Sequence, residues 1–141
     1  MTIELRPDLA PKHVERIKTL VREKFYDNTP FHRVIEGFMA QGGDPTGTGT
    51  SGSSYPNLPA EFSRSAKFLR GTVGAARTGD PNSANSQFYI MFAPAPHLDG
   101  QYTIWGQVIS GMEHIDAIKR GEGGGGTVRN QDRIVSMRVV D

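Results

Sequence analysis

The chain contains no cysteine among its 141 residues. This excludes a disulfide scaffold, thiol catalysis and cysteine-ligated zinc. There is almost no excess of charge: 16 Lys and Arg stand against 15 Asp and Glu, for a formal net charge of +1. Neither a basic nucleic-acid surface nor a solvating acidic arm is implied. No apolar run approaches the roughly 20 residues of a membrane span, and Met1-Thr2-Ile3-Glu4-Leu5-Arg6 lacks the layout of a signal peptide. The reading is a single domain over 1–141, soluble and cytoplasmic, large enough for a core without staples.

The chemistry-bearing motifs are equally sparse. The four histidines, His13, His32, His97 and His114, form no HExxH and no i, i+4 pair, so no metal site is expected. There is no G-x-S-x-G elbow. Glycines in 47–52, and again Gly121, Gly123 and Gly126, imitate a dinucleotide fingerprint. That mechanism needs a strand before the glycines and a helix after them. Tyr55-Pro56-Asn57-Leu58-Pro59 cannot open a helix, and Thr127-Val128-Arg129 leads towards a strand. No cofactor is expected.

What is present is a series of short periodic segments. Ile3 and Leu5 alternate with polar neighbours, which predicts a strand from the start of the chain. Asp8 and Pro11 read as helix-start signals, and Val14, Ile17, Leu20, Val21 and Phe25 follow at helical spacing. Extended pieces are predicted at 31–35, 39–42, 72–76, 87–92 and 103–108. A second helix is predicted around Met112, Ile115 and Ile118, and a final strand at 135–139. Residues 43–59, rich in Gly, Ser, Thr and Pro, read as a long surface loop. Many short strands with two helices predict a mainly-β barrel or sandwich with helices outside.

On the strands, Gln87, Tyr89 and Met91 share one face, and Phe88, Ile90 and Phe92 share the other, which is the natural core side. Met39 and Gln41 also share a face. Arg33, Met39, Gln41, Gln87 and Tyr89 can therefore collect on one surface. From alternation alone, the plainer assignment stands ahead: Met39 and Tyr89 as core residues, Arg33 as a solvated cation.

Phe31 to Asp44 reads FHRVIEGFMAQGGD. This closely resembles a signature of the cyclophilin-type peptidyl-prolyl cis-trans isomerases. Gly71 to Ile90 resembles the family's second signature in its bacterial form. Leu98-Asp99-Gly100 with Thr103 to Val108 resembles the third. The resemblance implies a closed eight-stranded antiparallel barrel with a helix over each open end and an active site on the outer surface. It implies isomerisation of X-Pro bonds in proline-containing peptides and unfolded proteins; a monomer is the simplest expectation. The alternative is a non-catalytic proline-binding module or a holding chaperone.

Position by position, the resemblance gives Arg33 the catalytic role. Phe38, Met39, Tyr89 and Leu98 fall in the proline pocket. Gln41, Ala76 and Gln87 line the peptide groove, with His97 and Tyr102 at its rim. Four departures carry expectations. His97 replaces a common tryptophan, which predicts weak cyclosporin binding. Tyr102 stands where histidine is common. Arg77-Thr78 carries roughly one extra residue. The strand that usually precedes Ile3 to Arg6 is missing, which predicts seven strands, an exposed edge and some loss of stability.

Overall fold

A computed structural model describes residues 1–140. Its elements run β1 (Thr2–Leu5), α1 (Pro11–Arg22), β2 (Phe31–Ile35), β3 (Met39–Gly42), β4 (Thr72–Ala75), β5 (Phe88–Met91), β6 (Ile104–Ser110) and α2 (Met112–Asp116). The six strands form one antiparallel sheet in the order β1-β6-β4-β5-β3-β2. Ile3 and Leu5 from one edge strand pack on the same apolar cluster as Phe31 and Val34 from the other. A sheet whose two outer strands reach one cluster is curled around it. Phe88 is central there, edge-on to Tyr26, Phe31 and Trp105. Val14, Ile17, Leu20 and Val21 of α1 and Ile115 of α2 complete the core. The expected mainly-β architecture with two helices is present.

Three local expectations differ. Asp8 does not cap α1. Both of its carboxylate oxygens accept from the Arg6 guanidinium, at 3.1 and 2.9 Å, and the N-cap is Ala10. The free first-turn N–H groups of Lys12 and His13 donate instead to the Glu61 carboxylate, at 3.2 and 2.8 Å. α1 also stops at Arg22, ahead of Phe25. Lys24 sits at φ 62°, its N–H donates to the Val21 carbonyl, and the Phe25 N–H donates to the Leu20 carbonyl. This is a Schellman turn, which sends Phe25 back against the core from outside the helix.

The strand expected at 135–139 is not formed, so six strands are present among the described residues where seven were expected. Alternation makes a strand only where a neighbour offers a ladder. Here Asn28 N–H donates to the Ile134 carbonyl and Met137 N–H donates to the Asp27 carboxylate. Val135 and Val140 remain 90% and 77% exposed. β1 pairs only with β6, leaving its other edge bare among the described residues.

Residues 43–71 carry no helix or strand and are ordered by polar anchors. Asp44, fully buried, accepts from Thr46 N–H and hydroxyl and from the Gly49 and Ser51 N–H groups. Burial pushes its carboxyl up, but these hydrogen bonds outweigh that and hold it at about 2.

Candidate active site

Four adjacent strands bring Arg33, Gln41, Tyr89 and Gly74 into one transverse row. Arg33 is opposite Gln41, Gln41 opposite Tyr89, and Tyr89 opposite Gly74. Their neighbours Val34, Ala40, Phe88, Ile90, Val73 and Ala75 all belong to the interior cluster, so period-two alternation turns the row outward. The outer face of the sheet thus carries the candidate site.

The polar half of the row is a relay. Arg33 Nη1 donates to Gln41 Oε1 at 3.3 Å, Gln41 Nε2 to Gln87 Oε1 at 3.0 Å, and Gln87 Nε2 to the Ser51 carbonyl at 2.9 Å. Each amide accepts once and donates once, which fixes the orientation of both. Arg33 Nε donates to the Gly125 carbonyl at 3.0 Å. Among the described residues, no carboxylate lies within ion-pair distance of Arg33, and its side chain is exposed.

The apolar half is a second cluster, separate from the interior one. Met39, Tyr89 and Leu98, only 2%, 6% and 9% exposed, pack with Phe68, Met91, Ala95 and Ile104. Phe38, Ala76 and Tyr102 lie half-buried against it. A 3-10 turn at Pro96–Leu98 turns Leu98 in and leaves His97 exposed, its ring 5.7 Å from Phe38. Tyr89 is stacked at 5.8 Å on Phe68 and edge-on to Tyr102 at 6.0 Å. Its hydroxyl is buried without a partner. Burial, with a smaller push from Tyr102, drives the phenol far above its ordinary range against a weaker opposing pull from Arg77, so the group is a neutral hydroxyl.

All ten residues singled out in the sequence fall in these two adjoining halves. Sequence reasoning missed Phe68, Ser51, Gly125 and the constraint at Gly74. Gly74 had a readable signal, because glycine inside a strand marks a close approach. Phe68, in an irregular segment, had none. Beyond Gln87, a hollow of about 580 Å³ opens, lined among others by Gln41, Ser51, Ala76, Arg77, Asn85 and Gln87. Among the described residues, no three His, Asp or Glu side chains gather where they could hold a metal, and no helix is long and apolar enough to cross a membrane.

The curled antiparallel sheet with its two helices matches solved structures of the cyclophilin class. A Cryptosporidium parvum cyclophilin-type peptidyl-prolyl cis-trans isomerase, crystallised in the presence of the dipeptide Ala-Pro, matches with a TM-score of 0.90 and 31% identity, over 99% of this chain and 91% of that one. A cyclophilin from Hirschia baltica matches with a TM-score of 0.83 and 28% identity, over 95% and 67%. Among curated proteins, a probable peptidyl-prolyl cis-trans isomerase of Brucella suis is 54% identical over 151 residues, covering 99% of this chain and 76% of the relative. The peptidyl-prolyl cis-trans isomerase-like 1 protein of Gibberella zeae is 44% identical over 117 residues, covering 82% and 72%. The model of the family "Cyclophilin type peptidyl-prolyl cis-trans isomerase/CLD" matches residues 1–139. The chain belongs to the cyclophilin-type peptidyl-prolyl cis-trans isomerase family, and its activity is isomerisation of the X-Pro peptide bond.

Proposed function

We propose that Arg33 is the catalytic residue and that the two halves of the site grip opposite sides of one X-Pro bond. The observation that carries this is an exposed guanidinium with no carboxylate partner among the described residues, set in register beside an apolar floor. The amide bond resists rotation through its partial double-bond character, with a barrier of about 18–20 kcal/mol. Catalysis needs no proton transfer and no covalent step. It needs only a site that favours the twisted amide over both planar forms.

Twisting ends conjugation and localises a lone pair on the prolyl nitrogen. A guanidinium directed at that nitrogen stabilises the twisted state selectively. Phe38, Met39, Tyr89 and Leu98 hold the proline ring. Gln41, Gln87 and the main chain at Ala76 hold the residues before it, with His97 and Tyr102 at the rim. One half of the bond stays fixed while the other turns.

The substrates on this reading are proline-containing stretches of unfolded or flexible chains, met by a monomeric cytoplasmic enzyme of one domain. The C. parvum structure obtained with Ala-Pro supports a proline-containing ligand. On this reading cyclosporin binds weakly, because His97 offers less apolar surface than the tryptophan common there, and His97→Trp is expected to raise its affinity in a titration.

The decisive test is the cis-to-trans relaxation of a short X-Pro peptide. Arg33→Ala is expected to lose on the order of 100- to 1000-fold in turnover with an unchanged circular dichroism spectrum. Near-full activity in that variant removes Arg33 from the mechanism. Suppression of client aggregation without any peptide acceleration would favour a holding function instead.

A further inference from the structure

We propose that this isomerase prefers segments with an acidic side chain at one of the two residues preceding the proline, and that Arg77 makes the selection. The inference rests on the proposed placement of substrate in the groove. The hollow beyond the relay shares Gln41, Ala76 and Gln87 with that groove. A peptide with its proline over Met39, Tyr89 and Leu98 and its preceding residues held at Gln41 therefore passes along the mouth of the hollow.

The residues lining the hollow are Gly, Ser, Thr, Asn, Gln and Ala, with Arg77 the only ionisable side chain. Arg77 is held firmly. Its guanidinium lies 4.3 Å over the Tyr102 ring and 5.9 Å from the Phe62 ring. Nη1 donates to the Thr78 carbonyl at 2.8 Å and Nη2 to the Gln101 carbonyl at 2.7 Å. Nε is buried without a partner. Of the five N–H groups a guanidinium carries, one on each terminal nitrogen is left uncommitted. Among the described residues, no carboxylate lies within ion-pair distance.

An arginine oriented by two aromatic rings and two carbonyls has already lost most of its rotamer freedom, so a ligand that meets it bears little of that entropic cost. Among the described residues, no ion pair engages its charge. A carboxylate entering the hollow supplies the missing counter-charge, whereas a lysine there meets like-charge repulsion.

The test uses the intact chain and peptides with Glu, Ala or Lys at each of the two positions before the proline. The expected result is acceleration of the Ala peptide, with Glu favoured over Lys in kcat/KM by roughly five- to twentyfold at low salt. The ratio should shrink several-fold at about 0.5 M salt. Arg77→Gln should bring the Glu/Lys ratio close to one, and Arg77→Lys should keep part of it. The ratio is read within each variant, so any loss common to all peptides through the Tyr102 contact cancels. Should Arg77→Gln fail to fold, Arg77→Lys and the wild-type salt titration decide the same question. Acceleration of the Ala peptide with equal Glu and Lys rates, or a preference untouched by salt, overturns the acidic preference and leaves the isomerase standing. Failure to accelerate any peptide overturns both.

Discussion

Gly74 and Tyr89 face each other across β4 and β5, and the bare backbone of one makes room for the phenol of the other. A methyl group at Gly74 would lie 2.8 Å from Tyr89 Cζ, 2.9 Å from its hydroxyl oxygen and 2.8 Å from Phe68 Cε1. The floor of the apolar half is set by this missing side chain. Gly74→Ala therefore drives both rings off their positions. It should cost about 1–3 kcal/mol of stability and lower turnover. Thermal unfolding and peptide relaxation read the two effects, and an unchanged melting temperature would contradict the contact.

The Tyr89 hydroxyl is buried with nothing to bond to, a state that costs free energy relative to an apolar group of the same shape. Tyr89→Phe should leave stability unchanged or raise it by up to about 1 kcal/mol, with turnover retained because the ring persists. A clear fall in stability in chemical denaturation would mean that the hydroxyl has a partner in solution.

Gln87 links the groove to the long loop through Gln41 and the Ser51 carbonyl. Gln87→Leu removes both bonds and leaves Gln41 held only by the donation from Arg33 Nη1. The expected kinetic signature is a rise in KM of roughly tenfold with a smaller fall in kcat, since positioning of the bound chain is what is lost. A pure kcat defect in a saturation series would assign Gln87 to the chemical step instead.

Acid should destabilise the fold in two stages. Burial holds His13 below its ordinary 6.5, and only part of that is offset by Glu61, whose carboxylate accepts from His13 Nδ1 at 2.6 Å. The unfolded chain therefore takes up this proton first, and stability falls as pH drops below about 6.5. Glu61 is also held below its ordinary 4.5: desolvation pushes it up, but the His13 ring and the His13 and Lys12 N–H groups outweigh that. A second loss follows as pH falls through 4.5. His13→Gln should flatten the first limb of a melting-temperature profile between pH 7 and 5. A profile identical to wild type would show that His13 does not set it.

Much of the fold and the site was legible in the residues. Period-two alternation separated Gln87, Tyr89 and Met91 from Phe88, Ile90 and Phe92, and the two sets lie outside and inside as that alternation requires. The signature residues 31–44 supplied Arg33, Phe38, Met39 and Gln41 of the candidate site. Long-range polar choices were not legible. Asp8 looks like a helix cap locally, but Arg6 two residues away takes both its oxygens, while the α1 N-terminus finds Glu61 across the fold. Lys24 adopts a left-handed conformation that no local residue announces. Val135, Met137 and Val139 alternate like a strand, yet alternation cannot supply a neighbouring strand. The cation Arg77 stands out in sequence only as part of the extra residue at Arg77-Thr78.

The distant cap on α1 makes this enzyme a client of its own reaction. Lys12 and His13 find their acceptor 49 and 48 residues later, and Pro30, Pro45, Pro56 and Pro59 lie in the intervening stretch. In a disordered chain, each X-Pro bond is roughly 10–30% cis and relaxes over tens to hundreds of seconds. A denatured molecule with non-native isomers in that stretch has them to correct before the native structure around Glu61 is complete. A folded molecule nearby shortens that wait. Refolding should therefore be autocatalytic, accelerating as native protein accumulates and as total concentration rises. Refolding half-times independent of concentration would show that these prolines do not limit the process.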